Sequence, residues 1–203
     1  MKNILILDYG MGNIASVKKA IKKLGYHSIV SDHISLNENY DCIILPGVGS
    51  FKTAMQNIKK NKTDCILKEL VVKRNQKILG ICLGMQLLAE YGDEPVLSEG
   101  LGLINGHVKK MTLRPNRLPH VGWNNVVVNN SKFNSFHNKD FYFIHSYSFV
   151  VEDKLDVMMS VHVDDKEFTA AVNRNNIYGT QFHPEKSQDF GLDLLKNIID
   201  VKT

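Results

Sequence analysis

The decapeptide Lys77-Ile78-Leu79-Gly80-Ile81-Cys82-Leu83-Gly84-Met85-Gln86 calls for a strand that turns abruptly into a helix. Its G-x-C-x-G core is the cysteine form of a nucleophile elbow, in which a strained central residue stands exposed at the top of a sheet. Gly80 and Gly84 lack Cβ atoms, so the chain can pass close to itself on either side of Cys82. The following helix aims its N-terminus at the sulfur and favours thiolate. A buried, inert cysteine between two packing glycines has the same local sequence, so structural context has to separate the two.

A second segment supplies what a cysteine nucleophile needs. In Ile177-Tyr178-Gly179-Thr180-Gln181-Phe182-His183-Pro184-Glu185-Lys186-Ser187, a β-rich run delivers a histidine, a helix-stopping proline and a carboxylate. His183 can hold or accept the thiol proton, and Glu185 can orient the ring. In extended chain, residues two apart lie on one side, so the two side chains can meet. Standing by itself, His-Pro-Glu is more often a surface turn than a catalytic pair.

The rest of the first half alternates strand and helix. Apolar runs at 4–7, 28–30, 42–45 and 77–79 read as strands, and 4–7 has the continuous character of a strand buried on both faces. Between them, helices are predicted over 13–24, where Ile14, Val17, Ala20, Ile21 and Leu24 form one stripe before Gly25, and over 51–59, 64–74 and 85–91. Such alternation builds a parallel sheet with right-handed crossovers. The second half changes character: strands are predicted over 106–111, 124–128, 140–147, 156–162, 167–173 and 177–182, then a helix over 191–201. The expected fold is α/β, a mostly parallel central sheet with helices on both faces and antiparallel additions in the second half, forming one domain over 1–203.

Composition narrows the function. At 43% hydrophobic residues the chain can fill a core, and a net charge of +4 over 203 residues is a weak basis for nucleic-acid binding. The densest basic patch, Lys59-Lys60-Asn61-Lys62, has no interleaved aromatic residue to stack on bases. Three scattered cysteines (Cys42, Cys65, Cys82) fit neither a disulfide framework nor a zinc site, and the eight histidines show no ligand spacing, so no metal is expected. With no apolar run long enough to span a bilayer and no signal peptide ahead of the first strand, a cytoplasmic protein without membrane contact is expected.

One motif points elsewhere. Gly10-Met11-Gly12-Asn13-Ile14-Ala15 fits G-x-G-x-x-A, follows a strand, opens a helix and has Asp32 about 20 residues on, as a dinucleotide site would. A nicotinamide-dependent oxidoreductase is the rival class. Against it, Asp8 and Tyr9 separate the strand from the first glycine, and Cys82 and His-Pro-Glu would have no purpose.

Six segments in order carry a family resemblance: Asp8-Tyr9-Gly10-Met11-Gly12-Asn13, Leu45-Pro46-Gly47-Val48-Gly49-Ser50-Phe51, the elbow from Gly80 to Gln86, Pro119-His120-Val121-Gly122-Trp123-Asn124, His145-Ser146-Tyr147, and Gln181-Phe182-His183-Pro184-Glu185-Lys186-Ser187. Over essentially its whole length the chain resembles class I (triad-type) glutamine amidotransferases, whose fold is flavodoxin-like, and within them the HisH branch, the glutaminase subunits of imidazole glycerol phosphate synthase. The resemblance implies hydrolysis of L-glutamine to glutamate and ammonia without a cofactor. It also implies a heterodimer with a HisF-type (β/α)8-barrel cyclase, which uses the ammonia to form imidazole glycerol phosphate and aminoimidazole carboxamide ribotide in histidine biosynthesis. The partner is expected on a separate chain, since a barrel takes about 250 residues.

Carried onto this sequence, the resemblance implies a triad of Cys82, His183 and Glu185. The elbow offers the Leu83 amide to an oxyanion, with a second donor from Val48 or Gly49. Gly47, Gln86, Ser146 and Tyr147 would bind substrate, and Asn13, Trp123 (in a turn) and Lys186 would face the barrel. Two departures from the HisH pattern keep a paralogue open, one that serves a HisF-like partner in amidinating a surface-polysaccharide or nucleotide sugar. Gln188 stands where glycine is common, and 113–117 (Leu-Arg-Pro-Asn-Arg) is unfamiliar. A binding module without catalysis is a third class, opposed by the intact triad residues.

Overall fold

The computed structural model describes residues 2–201. Strand β1 (Asn3–Leu7) is buried from Ile4 onward. Helix α1 (Ile14–Lys23) begins where the Asn13 side chain accepts the Ser16 amide at 3.4 Å, and Gly25, at φ +78°, turns the chain out of it. β2 (His27–Ser31) and the fully buried β3 (Cys42–Gly47) flank β1, both parallel to it. Next come α2 (Phe51–Lys60), capped by Ser50, and α3 (Thr63–Lys68), which runs on as a π-helical stretch through Lys73. β4 (Ile78–Cys82) then pairs parallel to β3 with Cys82 opposite Gly47.

The helix predicted over 85–91 is the main correction. The observed helix α4 is a single turn, Leu83–Gln86. Its apolar continuation, Leu87, Leu88 and Ala89, is buried, but their carbonyls are taken by a distant loop: Leu101 N–H donates to Leu87 O, Leu103 and Ile104 to Leu88 O, and Gly102 to Ala89 O, all at 2.8–3.0 Å. The chain is then free to enter the short strands β5 (Tyr91–Gly92) and β6 (Ser98–Glu99), which local pattern did not indicate.

The second half is β7 (Gly106–Lys110), β8 (His120–Val128), β9 (Asp140–His145), β10 (Tyr147–Val151), β11 (Val157–Val163), β12 (Lys166–Arg174), β13 (Ile177–Thr180) and helix α5 (Gln188–Asp200). The single strand predicted over 140–147 divides at Ser146, because β9 pairs with β8 while β10 crosses to β7. The large sheet runs β2-β1-β3-β4-β13-β12-β11-β8-β9, parallel from β2 to β13 and antiparallel from there to β9; a smaller sheet runs β10-β7-β5-β6.

Alternation along β1 sends Ile4 and Ile6 to one core with Val17, Ile21, Leu194 and Ile198 of α1 and α5, and Leu5 and Leu7 to another with Phe51, Ala54 and Ile58 of α2. Helices therefore cover both faces, as alternating strands and helices require. The carboxyl ends of β3, β4 and β13, adjacent in the sheet, bring Gly47, Cys82 and the segment after Thr180 to one edge, where ligands bind in open α/β sheets. Among the described residues no helix is long and apolar enough to cross a membrane.

Candidate active site

Cys82 ends β4 at φ +55°, ψ −110°, a conformation strongly disfavoured for a residue with a side chain. The strain persists because the glycines let the elbow nest against its neighbours. A Cβ on Gly84 would fall 1.7 Å from the Leu45 carbonyl oxygen of β3, and one on Gly80 would fall 2.5 Å from the Gly84 oxygen. No side chain fits at either place, so the G-x-C-x-G spacing is a packing requirement as well as a motif.

His183 and Glu185 meet here, by a route that differs from the extended one expected. Pro184–Lys186 forms a 3-10 turn, and His183 Nδ1–H donates to Glu185 Oε1 at 2.7 Å with both side chains nearly inaccessible. The turn is anchored: His183 N–H donates to Tyr142 O, and Ser187 Oγ donates to His183 O at 2.7 Å while accepting the Tyr142 amide. Burial opposes charging His183, but Cys82 and Glu185 outweigh it and raise its pKa to about 9. Its Nε2 has no hydrogen-bond partner among the described residues, which leaves it free on the side of the sulfur.

Cys82, His183, Leu83, Val48, Gly49, Gln86, Ser146 and Tyr147 all line one cavity of about 240 Å³. The structure thus brings together every triad, oxyanion and substrate position expected from the sequence except two. Glu185 stands behind His183, and Gly47 lies beneath the loop, where a Cβ would sit 2.5 Å from Tyr9 Oη and 2.9 Å from Leu83 Cβ. Gly49 adopts φ +103°, so the loop after β3 uses its glycine in a left-handed region.

Sequence reasoning missed three lining residues, Glu94, Ile144 and His145. Glu94 accepts the Phe51 amide at 3.2 Å, and burial raises its pKa. His145 Nδ1–H donates to Tyr147 O at 2.8 Å, so its Nε2 must accept, and His120 Nδ1 lies 3.1 Å from it. Burial pushes His145 down to about 4 and lowers His120 as well, so this pair is neutral at physiological pH. His145 opens the His145-Ser146-Tyr147 motif; Glu94 had no local signal.

The expected partner-facing residues divide. Trp123 is not in a turn: it lies within β8, 48% exposed, edge-on to Tyr142 at 5.9 Å between centroids, and Lys186 Nζ stands 5.9 Å from the centre of the same ring. The Asn13 side chain is committed to capping α1. The unfamiliar 113–117 stretch is held by ion pairs from Arg114 to Asp165 and Arg117 to Asp164. Gln188 adopts φ +52°, the conformation that makes glycine common at such a position. In the motif that suggested a dinucleotide, Gly12 packs against Pro46 of β3. Among the described residues no cluster of three or more His, Cys, Asp or Glu side chains could hold a metal ion.

Comparison with known proteins gives the family and supports the fold. The family described as Glutamine amidotransferase class-I matches residues 5–201. The "Imidazole glycerol phosphate synthase subunit HisH 2" of Methanococcus maripaludis is 44% identical over 200 residues, covering 97% of this chain and 98% of its own. The "Imidazole glycerol phosphate synthase subunit HisH" of Geobacillus sp. is 42% identical, covering 97% and 95%. A crystal structure of a glutamine amidotransferase superposes with a TM-score of 0.75 at 19% identity, covering 98% and 99% of the two chains, which supports the fold. By sequence, the chain belongs to the class-I glutamine amidotransferase family and, within it, to the HisH subunits of imidazole glycerol phosphate synthase.

Proposed function

We propose that Cys82 is the nucleophile of a glutaminase that feeds ammonia to a HisF-type cyclase in histidine biosynthesis. The observation that carries this assignment is the 2.7 Å His183–Glu185 pair, buried beside a strained cysteine on a shared cavity. Cys82 attacks the side-chain amide carbon of glutamine while His183 holds the thiol proton. His183 returns that proton to departing ammonia, then activates water to release glutamate from the thioester. Glu185 keeps Nδ1 protonated and stabilises the imidazolium.

The Leu83 amide is one oxyanion donor and the Val48 or Gly49 amide the second; losing one such donor costs about 3–4 kcal/mol of transition-state stabilisation. Gln86, Ser146 and Tyr147 hold the substrate's α-substituents, and Glu94 offers a carboxylate to its ammonium. The glycine-containing loop 46–49 rests in an inactive orientation until the partner's ligand binds. The chain works as one domain, with Asn13, Trp123 and Lys186 on the barrel-facing side and Asn13 capping α1.

The test is glutaminase activity of wild type and Cys82→Ser, alone and with the cyclase, with and without the cyclase's phosphoribulosyl substrate. Activity should require Cys82 and rise on addition of partner and ligand. Residual hydrolysis by Cys82→Ser would remove the nucleophile assignment, and full activity of the isolated chain would remove the resting-loop switch.

A further inference from the structure

Gln181 directly follows β13, is wholly buried, and has no task in the glutaminase mechanism. Its Nε2 is 3.8 Å from Cys82 Sγ, and its Oε1 accepts Gln86 Nε2 at 2.9 Å. Side-chain amides can be placed either way round, but here the direction is determined. The Tyr147 carbonyl can only accept, and Gln86 Nε2 lies 3.1 Å from it, so Gln86 must present its NH₂ on that side. His145 Nδ1–H, donating to the same carbonyl, locks the arrangement. Gln181 therefore meets the Gln86 NH₂ with its oxygen and has only its own NH₂ left for the sulfur.

We infer that Gln181 is a positioning residue for the nucleophile: an amide relay from the Tyr147 carbonyl through Gln86 obliges Gln181 to donate an N–H to Cys82 Sγ, favouring the thiolate and aiming it into the cavity. An N–H donor stabilises an anionic acceptor more than a neutral one. The opposing contact is the Ile144 carbonyl, 3.9 Å from the sulfur, which accepts only and suits the S–H form. The other titratable groups around Cys82 are His183 with Glu185 behind it, Tyr9 from the loop after β1, and His145 and Glu94 on the cavity wall. Of the groups donating to the sulfur side, Gln181 alone carries no titratable proton, so its effect is a shift of the whole profile and adds no limb.

This inference deepens the glutaminase reading, and its main test involves no glutamine. Alkylation of Cys82 by iodoacetamide is followed by mass spectrometry of the Cys82 peptide as a function of pH, which separates it from exposed Cys65. In Gln181→Met, similar in length but without a donor, alkylation at neutral pH slows about tenfold and the acid limb moves to higher pH. In the complex with the cyclase and its ligand, with glutamine as substrate, kcat falls about tenfold while KM stays within about twofold. Gln181→Glu keeps an acceptor for Gln86 but turns an oxygen toward the sulfur, and it falls below the methionine variant in both assays.

If Gln181 merely scaffolds Gln86, the order reverses: the glutamate variant outperforms methionine, KM rises, and alkylation is unchanged. That result overturns the inference. Should the methionine variant not fold, the glutamate variant decides, slower alkylation supporting the role and an unchanged rate removing it. Wild-type chain that alkylates as expected yet hydrolyses no glutamine even with the cyclase and its phosphoribulosyl substrate present would sink the glutaminase assignment and leave this one standing.

Discussion

Replacing Glu185 by glutamine tests the electrostatic core of the site. The substitution keeps shape and an oxygen 2.7 Å from His183 Nδ1 but removes the charge, at a position where both side chains are almost fully excluded from water. Burial works against a charged His183; Cys82 and Glu185 outweigh it and lift its pKa from 6.5 to about 9. That difference corresponds to about 3 kcal/mol in favour of the folded imidazolium. Because the folded value is raised, the stabilisation is whole below pH 6.5 and is lost as pH rises through about 9. In Glu185→Gln the share owed to Cys82 survives and the share owed to the carboxylate goes. The His183 midpoint, followed by imidazole NMR, should fall by at least about one pH unit, equivalent to ~1.4 kcal/mol. Urea unfolding should show wild type ahead by about that much near pH 6, with the gap closing above pH 9. The glutaminase kcat should drop by about 10²–10⁴. An unchanged His183 titration, or a stability gap that widens with pH, would refute the reasoning.

Gly84→Ala forces a Cβ to within 1.7 Å of the Leu45 oxygen; backbone cannot yield as a side chain can, so thermal unfolding should show a loss of about 3 kcal/mol together with loss of glutaminase activity. Gln188→Gly relieves a positive φ and should raise stability by about 1 kcal/mol in the same assay, with activity unchanged. Tyr9 carries a buried hydroxyl without a partner among the described residues, so Tyr9→Phe should leave stability equal or higher by about 1 kcal/mol in urea titration. Trp123→Ala should weaken cyclase binding at least about tenfold in titration calorimetry without altering the thermal midpoint; unchanged affinity would remove it as an interface anchor.

The parts of the site that were legible from sequence are those whose chemistry is local. The G-x-C-x-G spacing works because Gly80 and Gly84 clear the chain's own backbone and that of β3, a constraint acting within a few residues of Cys82. His183 and Glu185 are two residues apart and meet whether the segment is extended or, as found, a 3-10 turn. The helix after the elbow was overestimated because Leu87, Leu88 and Ala89 are apolar and helix-compatible, and only the approach of 101–104 diverts their carbonyls. Glu94 was invisible because nothing within its own segment says that it will reach the wall of a cavity built by β4, α4 and β9.

Local sequence determined the alternating elements, the two-faced burial of β1 and the candidates for nucleophile, base and orienting carboxylate, because periodicity and steric demand operate between near neighbours. Tertiary structure decided what surrounds them: where the one-turn α4 stops, how Trp123 stands on Tyr142, and which way round the Gln86 and Gln181 amides lie. Hydrogen-bond direction in that relay descends from the carbonyl of Tyr147, 61 residues from Gln86 in the chain, and no reading of either residue's own neighbourhood contains it.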